Sequence, residues 1–172
     1  MAIDVPYRGL VLEVPDQDPD NLAYFAHCAS GRFHLQRCTA CGLLRYPPGP
    51  ACYSCGHDAS QWEPVPMTGT VHSYTEVRHA IQPGFRPATP YLVLVVDLDI
   101  QRGQPTEHDA LRVVGNLVTA DGELAAPELV AQVGIGSRVA MVFTPLTPAI
   151  ALPNWRLDGE QPARAWRHDA TG

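Results

Sequence analysis

The 172-residue chain is 45% apolar and 17% charged with a net charge of -6. That is enough to bury a core in one domain or two small ones, and the acidic balance argues against a binder of nucleic-acid backbone, which needs a basic patch or stripe. All twelve positive residues are Arg and none is Lys, which excludes Schiff-base and general-base lysine chemistry. No apolar run reaches the roughly 18 residues of a membrane-spanning helix, and seventeen prolines with fourteen glycines favour short strands and turns, so a soluble, cytoplasmic, mainly β protein is expected.

Residues 1–17 place Val5, Leu10, Val11, Leu12 and Val14 among Pro6, Pro15 and charges and read as an extended arm, lying on this chain or on a partner. Asp18 is a candidate N-cap, with Pro19 at the first helical position and Asp20 complementing the dipole. Leu22, Phe25, Ala26 and Ala29 recur at helical spacing, and Gly31 is placed to end the run. The apolar face of this short helix packs on the following unit or docks on another chain. Cys28 on it reads as a small buried hydrophobe.

Residues 18–64 join this helix to the stretch FHLQRCTACGLLRYPPGPACYSCG, Phe33 to Gly56, which holds four of the five cysteines as two Cys-x-x-Cys pairs with ten residues between them. Two thiolates separated by two residues grip one cation from a tight turn. Each pair runs into a glycine, Gly42 or Gly56, that tolerates the positive φ such a turn needs. Pro47, Pro48, Gly49 and Pro50 turn the chain back between the pairs. Disulfides fit less well, because the first twenty residues lack a secretory pattern and Cys28 makes the count odd. Cys38, Cys41, Cys52 and Cys55 are therefore the expected metal ligands of a rubredoxin-like zinc ribbon. A complete thiolate shell leaves no open position and favours structural Zn2+, while iron fits the same spacing.

A proline-punctuated link, Trp62 to Met67, leads into residues 65–152, where the apolar period becomes two. The expected faces are Val71, Ser73, Thr75 and Val77 on one strand, then Leu92, Leu94, Val96 and Leu98, then Leu111, Val113, Gly115 and Leu117. Val139, Met141 and Phe143 follow a helical interruption near Pro127 to Val133, and a short fifth run uses Ile150 and Leu152. This order predicts a five-stranded Greek-key barrel of the OB type. Two long loops, Ala80 to Pro90 with Phe85 and Arg86 near its centre and Gln101 to Asp109, either carry function or are loose. The polar tail, residues 153–172, is expected to be disordered or strapped to a partner by Trp155 and Trp166.

The knuckle stretch, followed by Trp62-Glu63, TGTVHSYTEV, PYLVLVVDLD and GIGSRVAMVF, closely resembles the acyl-CoA-associated proteins built of a rubredoxin-like zinc ribbon and an OB fold. The resemblance covers roughly Pro19 to Leu152. It implies a non-catalytic accessory subunit of a thiolase-fold enzyme, in a hetero-oligomer that carries out thiolysis, acyl transfer or retro-aldol cleavage of acyl-CoA, including the shortening of steroid side chains. Only the four metal cysteines transfer from the family residue by residue.

No nucleophile elbow, phosphate loop or dinucleotide fingerprint is present, and no catalytic residue is expected. His72 and His79, on or after the first barrel strand, read as structural or solvated, and Asp97 and Asp99 as a solvated rim. Arg32, Arg37, Arg45, Phe85 and Arg86 are the candidate contacts to an acyl-CoA shared with the partner. The competing class is a nucleic-acid-binding zinc-ribbon and OB module, which the net charge and the lack of a basic-aromatic stripe oppose.

Overall fold

The structure, a computed structural model, describes residues 2–159, 161–162 and 165–168. The N-terminal arm is paired with itself: β1 (Ala2–Tyr7) and β2 (Leu10–Pro15) form an antiparallel hairpin. It turns at Arg8 and Gly9, both at positive φ, the two-residue geometry whose twist matches the flanking strands. The arm lies on this chain, with Val5 and Val14 buried against Ile150 near the C-terminus.

Helix α1 (Pro19–Ala29) starts where the sequence places it, the Asp18 carboxylate accepting the Asn21 N–H at 3.0 Å. Its buried face is centred on Tyr24 and Cys28, with Leu22, Phe25 and Ala29 partly buried and Ala26 exposed. The stripe containing Ala26 is thus corrected, because turning two aromatic rings inward removes far more apolar area from water than an alanine does. Tyr24 meets Phe33 and Phe25 edge-on at 5.8 and 5.4 Å between ring centroids. Cys28 is buried as expected, and desolvation pushes its thiol up to about 12.

The ribbon is a three-stranded antiparallel sheet in the order β4 (Leu44–Arg45), β3 (His34–Cys38), β5 (Ser60–Pro64). Trp62 to Pro64 are therefore strand, not link. They pair in unbroken register with β3, from Cys38 opposite Ser60 to His34 opposite Pro64.

Five further strands, β6 (Thr68–Val77), β7 (Tyr91–Leu98), β8 (Arg112–Asn116), β9 (Arg138–Thr147) and β10 (Ile150–Leu157), form one sheet in the order β10-β9-β6-β7-β8. Its edges are joined by a single parallel bridge between Leu117 and Trp155, with Val118 N–H donating to the Trp155 carbonyl at 2.7 Å. This is the OB-type arrangement expected, curled until β8 and β10 touch rather than closed by a continuous ladder. A short helix, α2 (Pro127–Val130), stands between β8 and β9.

Two expectations for the sheet are corrected. The pairing of β6 steps from Val71 opposite Val96 to Ser73 opposite Val95, so His72 is the extra residue of a bulge and the alternation flips after it. Beyond the bulge Tyr74 packs on the core while Ser73 and Thr75 face solvent. The fifth strand also runs on to Leu157, so Trp155 is not a tail residue but a fully buried part of the core. Trp166 does lie on a strap, but the strap is held on this chain: Ile135 and Trp166 exchange backbone hydrogen bonds at 2.9 and 3.0 Å. Arg167 ion-pairs with Glu76 at 2.8 Å. The rest of the tail expectation, residues 160, 163–164 and 169–172, lies outside the described residues.

Neither long loop is loose. Residues Pro83–Ala88 form a 3-10 turn whose Phe85 ring packs on Tyr7 and Tyr91 at 5.9 and 5.4 Å. Gly84 sits so close to the hairpin that a Cβ there would lie 1.5 Å from the Arg8 carbonyl oxygen. In the second loop the Gln101 amide clamps β4, accepting from Leu44 N–H at 2.7 Å and donating to its carbonyl at 2.9 Å. Asp97 and Asp99 belong to an ion network: Asp99 accepts from Arg138, Arg102 and Thr68, and Asp97 from Arg112 at 3.0 Å.

Two outcomes follow from this packing. Trp155→Ala removes the largest buried side chain at the seam and is expected to cost about 3–5 kcal/mol in denaturant unfolding; a loss below about 1 kcal/mol would show that the seam does not depend on it. Hydrogen bonds from Arg138, with those from Thr68 and the nearby charges, hold the Asp99 carboxyl down at about 2 against an ordinary 3.8. Its stabilisation is therefore present above pH 3.8 and lost as pH falls toward 2. The stability advantage of the wild type over Asp99→Asn should shrink across that window, and an advantage unchanged at its acid end would refute the assignment.

Candidate metal centre

The two knuckles repeat one backbone device. In the first, Cys38 N–H donates to the Leu43 carbonyl at 2.9 Å and Gly42 N–H to the Cys38 carbonyl at 3.0 Å. In the second, Cys52 N–H donates to the His57 carbonyl at 2.8 Å and Gly56 N–H to the Cys52 carbonyl at 2.9 Å. Gly42 and Gly56 both have φ of 75°, the left-handed conformation that glycine adopts without a Cβ penalty. The device turns each pair of sulfurs the same way.

All four Sγ atoms lie within 4.8 Å of one another, with Cys38 to Cys55 and Cys41 to Cys52 each at 3.6 Å. A tetrahedral shell with zinc–sulfur bonds of about 2.3 Å requires sulfurs about 3.8 Å apart, so the arrangement fits one thiophilic cation. Backbone amides prepare the thiolates. The Cys41 and Ala40 N–H groups pull the Cys38 thiol down to about 6, and those of Cys55 and Ser54 lower Cys52. Cys41 also receives the Leu43 N–H, but desolvation and sharing with neighbouring sulfurs push it up to about 12. The four cysteines are positioned to bind a metal ion.

The arginines expected to meet a ligand are not brought together. Arg37 is committed to Glu63 through Nε and Nη2 at 2.5 and 2.8 Å and to the Gly42 carbonyl. Arg45 is 3% exposed and cannot reach a ligand in solvent. Its Nε donates to Gln36 Oε1 and its Nη2 to Ser60 Oγ, each at 2.8 Å, while Nη1 is buried without a hydrogen-bond partner. Arg86 is tied to its own loop through the Ala80 and Ile81 carbonyls, Phe85 is packed on the hairpin, and Arg32 is exposed. His72 sits on the β6 bulge with Nδ1 3.2 Å from Asp97, and His79 is exposed.

Sequence reasoning missed the polar layer that supports the knuckles. Gln36, 3% exposed, donates to Asp20 at 2.7 Å and accepts from Arg45 and from Gly49 N–H. Its signal was a polar residue two places before Cys38, on the same face of the same strand.

Comparison with known proteins agrees with this geometry. Residues 25–61 match the ChsH2 rubredoxin-like zinc ribbon domain, and residues 62–144 match the ChsH2 C-terminal OB-fold domain. A curated relative from Thermomonospora curvata, a probable enoyl-CoA hydratase alpha subunit, is 33% identical over 144 residues, 83% of this chain. The chain spans only 39% of that relative's length. A solved structure described as an Ltp2-ChsH2(DUF35) aldolase contains a chain 32% identical to this one, with a TM-score of 0.63 over 83% of this chain and 98% of that one. A Sulfolobus solfataricus protein of unknown function from the DUF35 family, 13% identical with a TM-score of 0.54 over 81% of this chain and 86% of its own, shares the fold. Ribbon, OB fold and their order along the sequence all coincide, and the chain belongs to the ChsH2 family of a rubredoxin-like zinc ribbon followed by a C-terminal OB fold.

Proposed function

We propose that this chain is a zinc-stapled, non-catalytic accessory subunit of a thiolase-fold enzyme acting on acyl-CoA, stabilising the partner and helping to hold the thioester. The observation that carries this reading is the match over nearly the whole of a chain from an assembly described as an Ltp2-ChsH2(DUF35) aldolase. The relative described as a probable enoyl-CoA hydratase alpha subunit supports the acyl-CoA substrate class, since its description names a CoA thioester. Retro-aldol cleavage is the partner reaction this match favours over thiolysis and acyl transfer, and a steroid side chain is one acyl group it would suit.

Cys38, Cys41, Cys52 and Cys55 would hold Zn2+, and their complete thiolate shell gives the metal a structural task. Such a site contributes roughly 10–16 kcal/mol apparent, as much as the whole stability of a typical domain, about 5–15 kcal/mol. No helix among the described residues is long and apolar enough to cross a membrane, and a cytoplasmic hetero-oligomer is the setting we infer.

Cys38→Ser is expected to release the metal and unfold the ribbon while circular dichroism still reports the barrel strands. Full metal content together with undiminished partner binding in that variant would sink the structural role. The subunit reading itself is tested by affinity purification of the tagged chain from its native host and by acyl-CoA assays with and without whatever accompanies it. A stoichiometric thiolase-fold protein, with turnover only in its presence, is the expected result. Turnover by the isolated chain, or recovery of nucleic acid in place of a protein partner, would overturn it.

A further inference from the structure

Arg45 is a permanent cation placed where almost no water reaches it, and a buried charge needs a counter-charge. Among the described residues it makes no ion pair: its two bonded partners, Gln36 and Ser60, are neutral, and Nη1 has none. Asp20 stops one residue short, bonded to the far side of Gln36 at 2.7 Å. Arg37, next to Cys38 on the neighbouring strand, has by contrast its own carboxylate in Glu63.

The register shows what Arg45 is near. Arg45 stands opposite Gln36, and Ser60 opposite Cys38. To bond both Gln36 and Ser60, the Arg45 side chain crosses β3 diagonally, from the level of Gln36 to the level of Cys38. It does so on the face that carries both of those side chains, since they are two residues apart on one strand. The span leading to Cys52 covers that face, with Gly49 N–H donating to Gln36 Oε1 at 2.9 Å. The guanidinium is thus enclosed between the strand that presents the first knuckle and the segment that delivers the second. Four thiolates around one divalent cation keep two net negative charges, a counter-charge no carboxylate here supplies.

We propose that Arg45 is the buried counter-ion of the four-cysteine centre, offsetting thiolate charge and thereby setting how tightly the centre holds its metal. Arg45 is a positioning residue acting through the sulfurs, and this inference rests on the metal reading of the cysteines. It is tested on the full chain with Arg45→Met, which keeps bulk and removes charge, and Arg45→Lys, which keeps charge and removes the fork. Zinc release to a colorimetric chelator is one readout, and the sulfur-to-cobalt charge-transfer band of the Co2+-substituted protein is the other.

Arg45→Met is expected to hold zinc roughly 10- to 100-fold more weakly and to shift the cobalt band to lower energy, whereas Arg45→Lys restores both toward wild type. Zinc retention and a cobalt band unchanged in Arg45→Met would overturn the proposal, leaving Arg45 a packing residue. If Arg45→Met does not fold, Arg45→Lys decides: near-normal retention supports the counter-ion, and loss of zinc with an unshifted band overturns it. A wild-type chain that binds neither ion would refute the metal reading itself, a failure distinct from equal binding by wild type and variant.

Discussion

The three strands of the ribbon have five, two and five residues, and a sheet of that size buries too little apolar surface to hold itself together. Its two ends are secured by different means. At one end Tyr24, Phe33, Leu35 and Leu44 join the same core as Leu94, Val96 and Trp155 of the barrel. At the other end the core has run out, and the four sulfurs are what draws the two knuckles together. A metal there is equivalent to a cross-link between Cys38 and Cys55, seventeen residues apart. The tight turn this requires is why a glycine at positive φ follows each pair.

Because the core is continuous, ribbon and barrel are held in one relation. The Gln101 amide fills both hydrogen-bonding positions of Leu44 on the open edge of β4, so a barrel loop takes the place of a fourth ribbon strand. Helix α1 packs on β10 of the barrel as well as on β3 and β9, and the N-terminal hairpin buries Val5 and Val14 beside the same strand. Segments that read as detachable from sequence are consumed in this joint. A docking role for the helix would have to use its polar side, since the apolar one is occupied.

What was legible in the sequence was local. The Cys-x-x-Cys spacing, the Asp18 cap and the alternation of β7, where Leu92, Leu94, Val96 and Leu98 are all fully buried, each depend on residues within one turn or strand. What was illegible depends on a partner far away in the chain. Trp155 stands just after Pro153 and Asn154, where the composition turns polar, and is buried because β8 returns beside it. The bulge at His72 leaves no compositional mark, yet it reverses every later side chain of β6. Arg45 reads from sequence as a ligand contact because nothing near it announces that Gln36, Ser60 and the Gly49 turn will enclose it.

The disposition of the arginines bears on how an acyl-CoA would be gripped. Arg8, Arg37, Arg78, Arg102, Arg112, Arg138, Arg156 and Arg167 all face carboxylates of this chain, and Arg45 is enclosed. Among the described residues that leaves Arg32, and Arg86 with only carbonyl partners, as cations free to meet phosphate. The two lie on different units, one before the ribbon and one on a barrel loop, and the net charge of -6 does not favour an anionic ligand. On the proposed reading, then, the phosphates of the cofactor portion fall mainly to the partner. The part this reading would leave to the chain is to shape and close the space around the thioester, a task that would ask for a fixed relation between ribbon and barrel more than for charge.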